Sequence, residues 1–182
     1  MRRKVIQSCV ILAIGLVMAF SNAEVADAQA AKGASGLPLP RFVTLKSKRV
    51  NLRIGPSSDY AVSWLYTREG LPVEIIQEYD NWRQVRDAEG TEGWVNQSLL
   101  SGQRSAIAAP WMKNKAASKA IYVNMRREPL PSSAVIAKLE PGVILHVREC
   151  NGTWCRATTD GSDGWVAQSE IWGAYPGEAF KN

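Results

Sequence analysis

The segment VNLRIGPS at residues 50–57 decides the architecture, because it recurs as VNMRREPL at residues 123–130. The two copies continue in step, since GWVNQS at 93–98 is matched by GWVAQS at 164–169. The offset between the copies falls from 73 to 71 residues along the repeat, which two single-residue gaps in loops explain. A duplicated unit of about sixty residues, close to the lower limit for one apolar core, predicts two small domains.

Each unit has the pattern of several short β-strands. Short segments at 73–76, 83–85 and 93–95 are bounded by Gly, Pro, Asn and Asp, which favour turns. At 143–148, Val, Leu and Val alternate with Ile, His and Arg, as expected for a strand with one buried face. Neither unit shows helical periodicity. The sequence therefore predicts an all-β fold of two tandem small antiparallel barrels.

The first thirty residues have the pattern of an export signal, with three basic residues at 2–4 before an apolar run at 10–20. That run is short for a membrane span, and small residues at 28–30 offer a cleavage site, with 21–23 as a second candidate. An uncleaved N-terminal anchor is the alternative. Both interpretations place the folded part outside the cytoplasm, so we expect a periplasmic or secreted protein that meets the membrane only transiently, through its signal peptide.

Composition shifts along the chain predict the domain boundaries. The expected segments are a signal peptide (1–30), an N-terminal linker (31–40), a first barrel (41–102), a linker (103–119), a second barrel (120–173) and a C-terminal tail (174–182). The 103–119 linker is assigned from its Ala, Ser and Lys content and from Pro110. We expect its Trp111-Met112 pair to pack onto a neighbouring barrel and so fix the two units relative to each other, with ligand contact as the alternative.

The charge distribution argues against a nucleic-acid partner. The formal net charge of the 182-residue chain is +5, and it falls to about +4 without the first thirty residues. Lysines and arginines are interspersed with aspartates and glutamates, whereas a nucleic-acid binder usually gathers its basic residues on one face.

The order of these motifs resembles the bacterial SH3-like (SH3b) domains of envelope proteins: VNLR-x-GPS, a middle tryptophan and a late Gly-Trp-Val. Residues 41–102 and 172–178 are similar to exported bacterial proteins with two such modules. The resemblance implies a small β-barrel, an envelope location and a binding role. The second unit departs from the pattern, since Glu128 stands where the first has Gly55, and loss of the glycine changes the available turns. We therefore do not expect this loop to be a ligand site shared by both units.

Two cysteines of the second unit are candidates for a disulfide. Cys150 and Cys155 flank an Asn-Gly pair typical of hairpins, and the first unit has Glu78 and Arg83 at the same positions. One copy has an ion-pairing couple at these positions, and the other has two cysteines. This substitution predicts that the two positions face each other, so a disulfide should form outside the cytoplasm. The register stays open: a four-residue loop places the cysteines directly opposite, whereas a two-residue turn makes them diagonal neighbours. Free thiols are the alternative.

We expect no catalytic residue, metal site or cofactor. His146 is the single histidine, and along a strand it would lie about 13 Å from Cys150, too far for a nucleophile and base pair. A zinc site from His146, Cys150 and Cys155 lacks a fourth ligand at a suitable spacing. The carboxylates are scattered through turns, so no pair is marked out for acid and base catalysis.

The aromatic residues divide into a shared set and a set specific to the first unit. Four tryptophans recur in both units and are expected to close the barrel cores: Trp82, Trp94, Trp154 and Trp165. The candidate ligand-binding residues are Tyr60, Trp64, Tyr66 and Tyr79, with Arg53 and Arg68 nearby in sequence. An aromatic groove suits extended peptides or sugar faces, and arginines suit carboxylates. Core packing is the alternative for the same side chains.

These observations predict a non-catalytic binding module of the cell envelope. Its expected partner is a peptide or glycan of the cell wall, or a peptide segment of an envelope protein. The alternative is a structural or adaptor protein whose barrels contact other proteins, and an enzyme or enzyme accessory is the least favoured class.

Overall fold

A computed structural model describes residues 31–113 and 121–182. Within these two ranges the fold is all-β, with fifteen strands, three short 3₁₀ turns and no α-helix. No helix in this part of the chain is therefore long and apolar enough to cross a bilayer. The predicted signal peptide and residues 114–119 of the predicted linker lie outside the described residues.

The first module is a curled seven-stranded antiparallel sheet, with strand order β3-β2-β6-β5-β4-β1-β7. Its strands are β1 (Arg41–Leu45), β2 (Val50–Arg53), β3 (Val62–Tyr66), β4 (Pro72–Tyr79), β5 (Trp82–Arg86), β6 (Glu92–Asn96) and β7 (Leu100–Ser101). A 3₁₀ turn at Gln97–Leu99 joins the last two. The three strand segments predicted for this module lie within β4, β5 and β6.

The second module repeats this arrangement in the order β10-β9-β13-β12-β11-β8-β14, with β15 added alongside β11. Its strands are β8 (Arg104–Ala108), β9 (Val123–Arg126), β10 (Val135–Leu139), β11 (Ile144–Asn151), β12 (Trp154–Thr159), β13 (Ser162–Ala167), β14 (Ile171–Trp172) and β15 (Ala179–Lys181). The other 3₁₀ turns are Pro110–Met112 and Gln168–Glu170. The tandem all-β prediction is confirmed.

Each module has its own apolar core, formed by alternate residues of its strands. The first core contains Val43, Leu45, Val50, Leu52, Tyr66, Val73, Ile75, Val85, Val95 and Leu100. The second contains Ala106, Ala108, Ala109, Val123, Met125, Leu139, Leu145, Val147, Cys150, Cys155, Ala157, Val166, Ile171 and Ala174. The two clusters are separate, so each copy of the repeat forms a barrel around its own interior.

Two segments predicted to be connectors contain strands. Strand β8 lies within the 103–119 linker and pairs with β11, and β15 lies within the 174–182 tail and pairs with the same strand. Composition misses β8 because its inward residues, Ala106 and Ala108, are alanines, which are also common in linkers. The chain passes close to this strand at Gly173, where an added Cβ would lie 2.7 Å from the Ala106 Cα, so this approach requires glycine at 173. The predictions of a linker at 103–119 and a tail at 174–182 are therefore wrong for Arg104–Ala108 and Ala179–Lys181, which are strands of the second module.

The predicted N-terminal linker folds against the first module. We call residues 31–40 the N-terminal strap. Its backbone turns back on itself, with a bridge between Lys32 and Pro38. The Ser35 amide and hydroxyl donate hydrogen bonds of 2.7 and 2.8 Å to the Glu78 carboxylate on β4. Leu39 packs against the first core. The segment is thus attached to the barrel by both polar and apolar contacts.

Aromatic and polar contacts hold the two modules against each other. The Phe42 ring on β1 packs edge-on against Trp172, with ring centroids 4.9 Å apart, and also contacts Tyr175 at 4.7 Å. The Tyr175 hydroxyl donates a 2.8 Å hydrogen bond to Glu74 Oε1 on β4. Burial, followed by this carboxylate, raises the pKa of Tyr175. The junction therefore uses the C-terminal segment of the second module.

The two residues of the Trp111-Met112 pair have different environments. Met112 packs against the second core, whereas Trp111 is 49% exposed. The prediction that Trp111 packs onto a barrel and fixes the two units is therefore wrong. Other residues form the junction between the modules. The junction uses Phe42 together with a 2.7 Å hydrogen bond between the hydroxyls of Thr44 and Ser105.

Candidate functional site

The loop between β2 and β3 presents Tyr60 on the surface of the first module. The Ile54 amide donates to the Ala61 carbonyl at 3.1 Å and closes the loop. Arg53 Nη1 donates to the Tyr60 carbonyl at 2.6 Å. A Cβ on Gly55 would lie 2.6 Å from the Tyr60 ring, so the glycine leaves space for that ring. Tyr60 remains 46% exposed.

The second module forms the same loop without the glycine. Arg126 Nη1 donates to the Ser133 carbonyl at 2.7 Å, and the amide bond that closes the loop is also kept, at 3.0 Å. The prediction that Glu128 in place of Gly55 alters the turn is therefore wrong. Gly55 does not have a left-handed φ, so the backbone does not require it. The glycine provides room for an aromatic ring that the second module lacks.

Strand β3 is an edge strand of the first sheet, and it carries Trp64 and Tyr66 on one face. They pair with Leu52 and Val50 of β2, which are fully buried. Tyr66 lies in the core, where its hydroxyl donates to Asp87 Oδ2 at 3.1 Å. Burial, then the Asp87 carboxylate, raises the pKa of Tyr66. Trp64 lies farther along this edge and is 56% exposed.

Three of the predicted ligand-binding residues meet in one cleft of about 270 Å³, which we call the aromatic cleft. Its lining includes Trp64, Tyr66 and Arg68, with Glu89 from the β5–β6 turn and Ile107 and Lys113 from the second module. The cleft therefore combines an exposed indole, two cations and the two carboxylates of Asp87 and Glu89. Such a surface can stack against an apolar or planar group while pairing with charges of both signs. Sequence reasoning did not identify Ile107 and Lys113, because both were assigned to a linker.

The other three candidates lie outside the aromatic cleft. Arg53 holds the loop through the Tyr60 carbonyl, as Arg126 does in the second module, which gives this arginine a structural role in both. Tyr79 pairs with Trp82 at the tip of the β4–β5 hairpin and is 61% exposed. Tyr79 is thus a surface residue on a separate element.

A family model described as "Bacterial SH3 domain" matches the chain twice, over residues 46–102 and 119–173, which is more than half of its length. The chain belongs to the bacterial SH3 domain family. Both matched ranges begin after the first strand of their module, β1 or β8. The family pattern therefore leaves out the strands that meet at the junction of this SH3 pair.

One curated relative is "Putative N-acetylmuramoyl-L-alanine amidase YrvJ" of Bacillus subtilis (strain 168), which is 25% identical over 133 residues. The match covers 69% of this chain and 25% of that protein, so the chain spans about a quarter of its relative. Two solved structures, NlpC2 and NlpC1 from Trichomonas vaginalis, are each 12% identical. These matches cover 73% and 77% of this chain and 48% of each matched chain, with TM-scores of 0.32 and 0.31.

The four matched tryptophans of the SH3 modules lie outside the cores, which corrects the prediction that they close the barrels. In β5 and β6, Val85 and Val95 point inward and are fully buried, so Trp82 and Trp94 alternate onto the outer face and are half-buried. Trp154 and Trp165 follow the same pattern in the second module. The period of two along each strand determines which face a side chain occupies, whatever its size.

The cysteine pair of the second SH3 module is a disulfide, as predicted. Cys150 and Cys155 are directly opposite in the β11–β12 register. The predicted facing of Glu78 and Arg83 in the first module is also confirmed, since they occupy the same register across β4 and β5. The described residues hold no group of three or more His, Cys, Asp or Glu placed to bind a metal ion.

Proposed function

We propose that this protein is a non-catalytic binding module of the bacterial cell envelope that binds peptides of the cell wall through the aromatic cleft. The observation that carries the proposal is the exposed Trp64, which lines the cleft together with two cations. This tryptophan is present in the first module and has no counterpart in the second. Ala137 pairs with Met125 in the second module as Trp64 pairs with Leu52 in the first. The first module therefore has an aromatic surface at a position where the second has a methyl group.

The chemistry of the cleft suits a wall peptide. The indole of Trp64 offers a flat apolar surface to a sugar or an extended backbone, and the exposed edge of β3 leaves backbone groups available for pairing. Arg68 and Lys113 complement the carboxylates of a peptide stem. Glu89 complements an amino group in the same ligand.

The wider setting supports the same proposal. The disulfide favours a location outside the cytoplasm, where thiols are oxidised. The curated relative is named as an amidase acting on an N-acetylmuramoyl-L-alanine bond, a chemical group of cell-wall material, although this chain spans only a quarter of it. Cys150 and Cys155 are bonded to each other, so neither of these two is a free thiol nucleophile.

An adaptor role is the second candidate. The observation that favours it is the exposed apolar edge strand of the second module, where Val135 and Ile136 on β10 are 43% and 40% exposed. In that case the barrels would contact another envelope protein rather than the wall.

Sedimentation with purified cell walls tests the proposal. Trp64→Ala is expected to weaken binding at least about tenfold, equivalent to about 1.4 kcal/mol, because the exposed indole is lost from the cleft. Trp111→Ala is the matched control, since that indole is exposed to a similar degree but does not line the cleft. Both variants should keep the wild-type thermal midpoint, which separates a binding defect from unfolding.

The adaptor role predicts a different result. Wall sedimentation would then be absent, or equal for wild type and Trp64→Ala. Substitution of Val135 and Ile136 would instead abolish capture of an envelope protein. Equal sedimentation of wild type and Trp64→Ala contradicts the proposed use of the cleft.

A further inference from the structure

A second and larger cleft lies at the junction of the two modules. It has a volume of about 570 Å³ and is lined by both barrels. Its lining includes Lys46, Arg68 and Glu69 from the first module and Ile144, His146 and Asp160 from the second. We call it the junction cleft.

The junction cleft lies next to the aromatic cleft. Arg68, on the turn between β3 and β4, lines both. At its other end, His146, Thr159 and Asp160 also line a third depression of about 260 Å³ at the β12–β13 turn. The shared lining residues make the three depressions neighbours, in a row from Trp64 across the module boundary, which we call the groove.

Residues of the two modules lie close together within the lining of the junction cleft. Gly70, in the left-handed region with φ of 78°, lies against β11: an added Cβ would lie 3.6 Å from Ile144 Cγ2 and 3.9 Å from His146 Cε1. The hydrogen bond between the Thr44 and Ser105 hydroxyls joins the modules on residues next to the same cleft. The two walls are thus parts of one surface.

Charges of both signs recur along the groove. The aromatic cleft has Lys113 with Glu89, and the junction cleft has Lys46 with Asp160, while Arg68 lies between them. Lys46 and Asp160 are exposed. A ligand that presents amino and carboxylate groups at more than one place along its length complements this pattern, whereas a simple polyanion or a neutral glycan does not.

We infer that the groove binds an extended peptide that carries amino and carboxylate groups along its length, with one end on Trp64 and the remainder across the module boundary beside His146. This inference rests on the proposed function, because it assigns the ligand of the aromatic cleft a length that one module cannot accommodate. The tandem arrangement then has a reason: the second module extends the site rather than duplicating it.

The test compares the affinities of residues 31–182 for two probes, a monomeric muropeptide and its peptide-cross-linked dimer. The dimer is expected to bind the wild-type protein at least about tenfold more tightly than the monomer does. Once its first half is bound, its second half binds the junction cleft at a high effective concentration. The double variant Lys46→Gln/Asp160→Asn should reduce that advantage to less than about threefold and leave monomer binding unchanged. Lys48→Gln, exposed and two residues from Lys46, is the control and should keep the full advantage.

The single histidine supplies an independent readout. In NMR spectra the imidazole signals of His146 need no assignment among other histidines, and they should shift on addition of the dimer but not of the monomer. Equal affinities for monomer and dimer, or a dimer advantage that survives the double variant, would overturn the inference while leaving the proposed function intact. Monomer binding that is insensitive to Trp64→Ala would overturn the proposed function itself.

Discussion

The same hairpin position is closed by different chemistry in the two modules. In the first, Glu78 and Arg83 lie directly opposite each other, with Arg83 Nε 3.3 Å from Glu78 Oε1. In the second, Cys150 and Cys155 occupy the equivalent register and are covalently bonded. The backbone is alike in both, so the duplication has kept the geometry and exchanged an ion pair for a disulfide.

Each hairpin is also covered by one end of the described chain. The N-terminal strap lies on the first, through the hydrogen bonds from Ser35 to Glu78. Strand β15 lies on the second, where Phe180 pairs with Cys150. The first hairpin therefore depends on a carboxylate that can be protonated, and the second on a bond that can be reduced. This difference makes the stability of the two modules separable by experiment.

The largest effect is expected for Glu78→Gln. The Glu78 side chain is 1% exposed, and its carboxylate pairs with Arg41 at 2.6 Å as well as with Arg83. Removing the charge leaves two largely buried guanidinium groups without their partner. The free energy of unfolding should fall by about 3 kcal/mol, which is at the low end of the cost of removing one partner from a buried ion pair. Arg83 keeps its hydrogen bonds to the Asp80 and Trp82 carbonyls, which limits the loss. Amide hydrogen exchange should show the destabilisation in β4 and β5, with little change in β11 and β12.

An exposed ion pair of the first module provides the matched control. Glu92→Gln breaks an exposed pair with Arg86 and should change the free energy of unfolding by less than about 1 kcal/mol.

Burial acts to raise the pKa of Glu78, but hydrogen bonds from Ser35 and Arg41 outweigh it and lower the pKa from 4.5 to about 2. Because the folded state binds this proton more weakly than the unfolded state, the stabilisation is complete above pH 4.5 and is lost as the pH falls towards 2. An unchanged acid dependence in Glu78→Gln would contradict this assignment.

The register of these hairpins shows how far the sequence could lead. Aligning the two copies placed Glu78 with Cys150 and Arg83 with Cys155, and the structure has both couples face to face. Repeats are informative because two sequences must satisfy one backbone. The exact turn was left open, and it lies one residue later than an Asn-Gly turn would place it. Asn151 ends β11, Gly152 and Thr153 form the loop, and the Asn151 side chain accepts hydrogen bonds from the Thr153 and Trp154 amides.

What the sequence could not reveal comes from contacts between distant segments. Strand β8 reads as a linker, because its inward residues are alanines and its partner strand β11 is distant in sequence, so no local pattern marks it as a strand. The contribution of Lys113 to the aromatic cleft depends on how the modules meet. The outward direction of Trp94 is predictable from its alternation with Val95, because the period of two along a strand, and not side-chain size, determines the face.

Reduction of the disulfide should have a smaller effect, confined to the other module. The bond closes a short loop with a sequence separation of five residues, so its loss should lower the free energy of unfolding by about 2 kcal/mol. Urea unfolding with and without a thiol reductant measures this. The variant Cys150→Ala/Cys155→Ala should be insensitive to the reductant, and β4 and β5 should keep wild-type hydrogen exchange. A reductant effect on the first hairpin would show that the two modules do not unfold separately.

The smallest effect should come from the loop where the modules differ in an aromatic ring. Gly55→Ala places a methyl group 2.6 Å from the Tyr60 ring, which must move. Since Tyr60 is 46% exposed and can turn into solvent, the variant should lose only about 1 kcal/mol. Glu128→Ala, at the matching position of the second module, should change stability by less than about 0.5 kcal/mol, because Ser133 leaves that space open. Equal losses in both modules would mean that the glycine serves the backbone rather than the ring, and the proposed reason for the divergence of the two loops would fail.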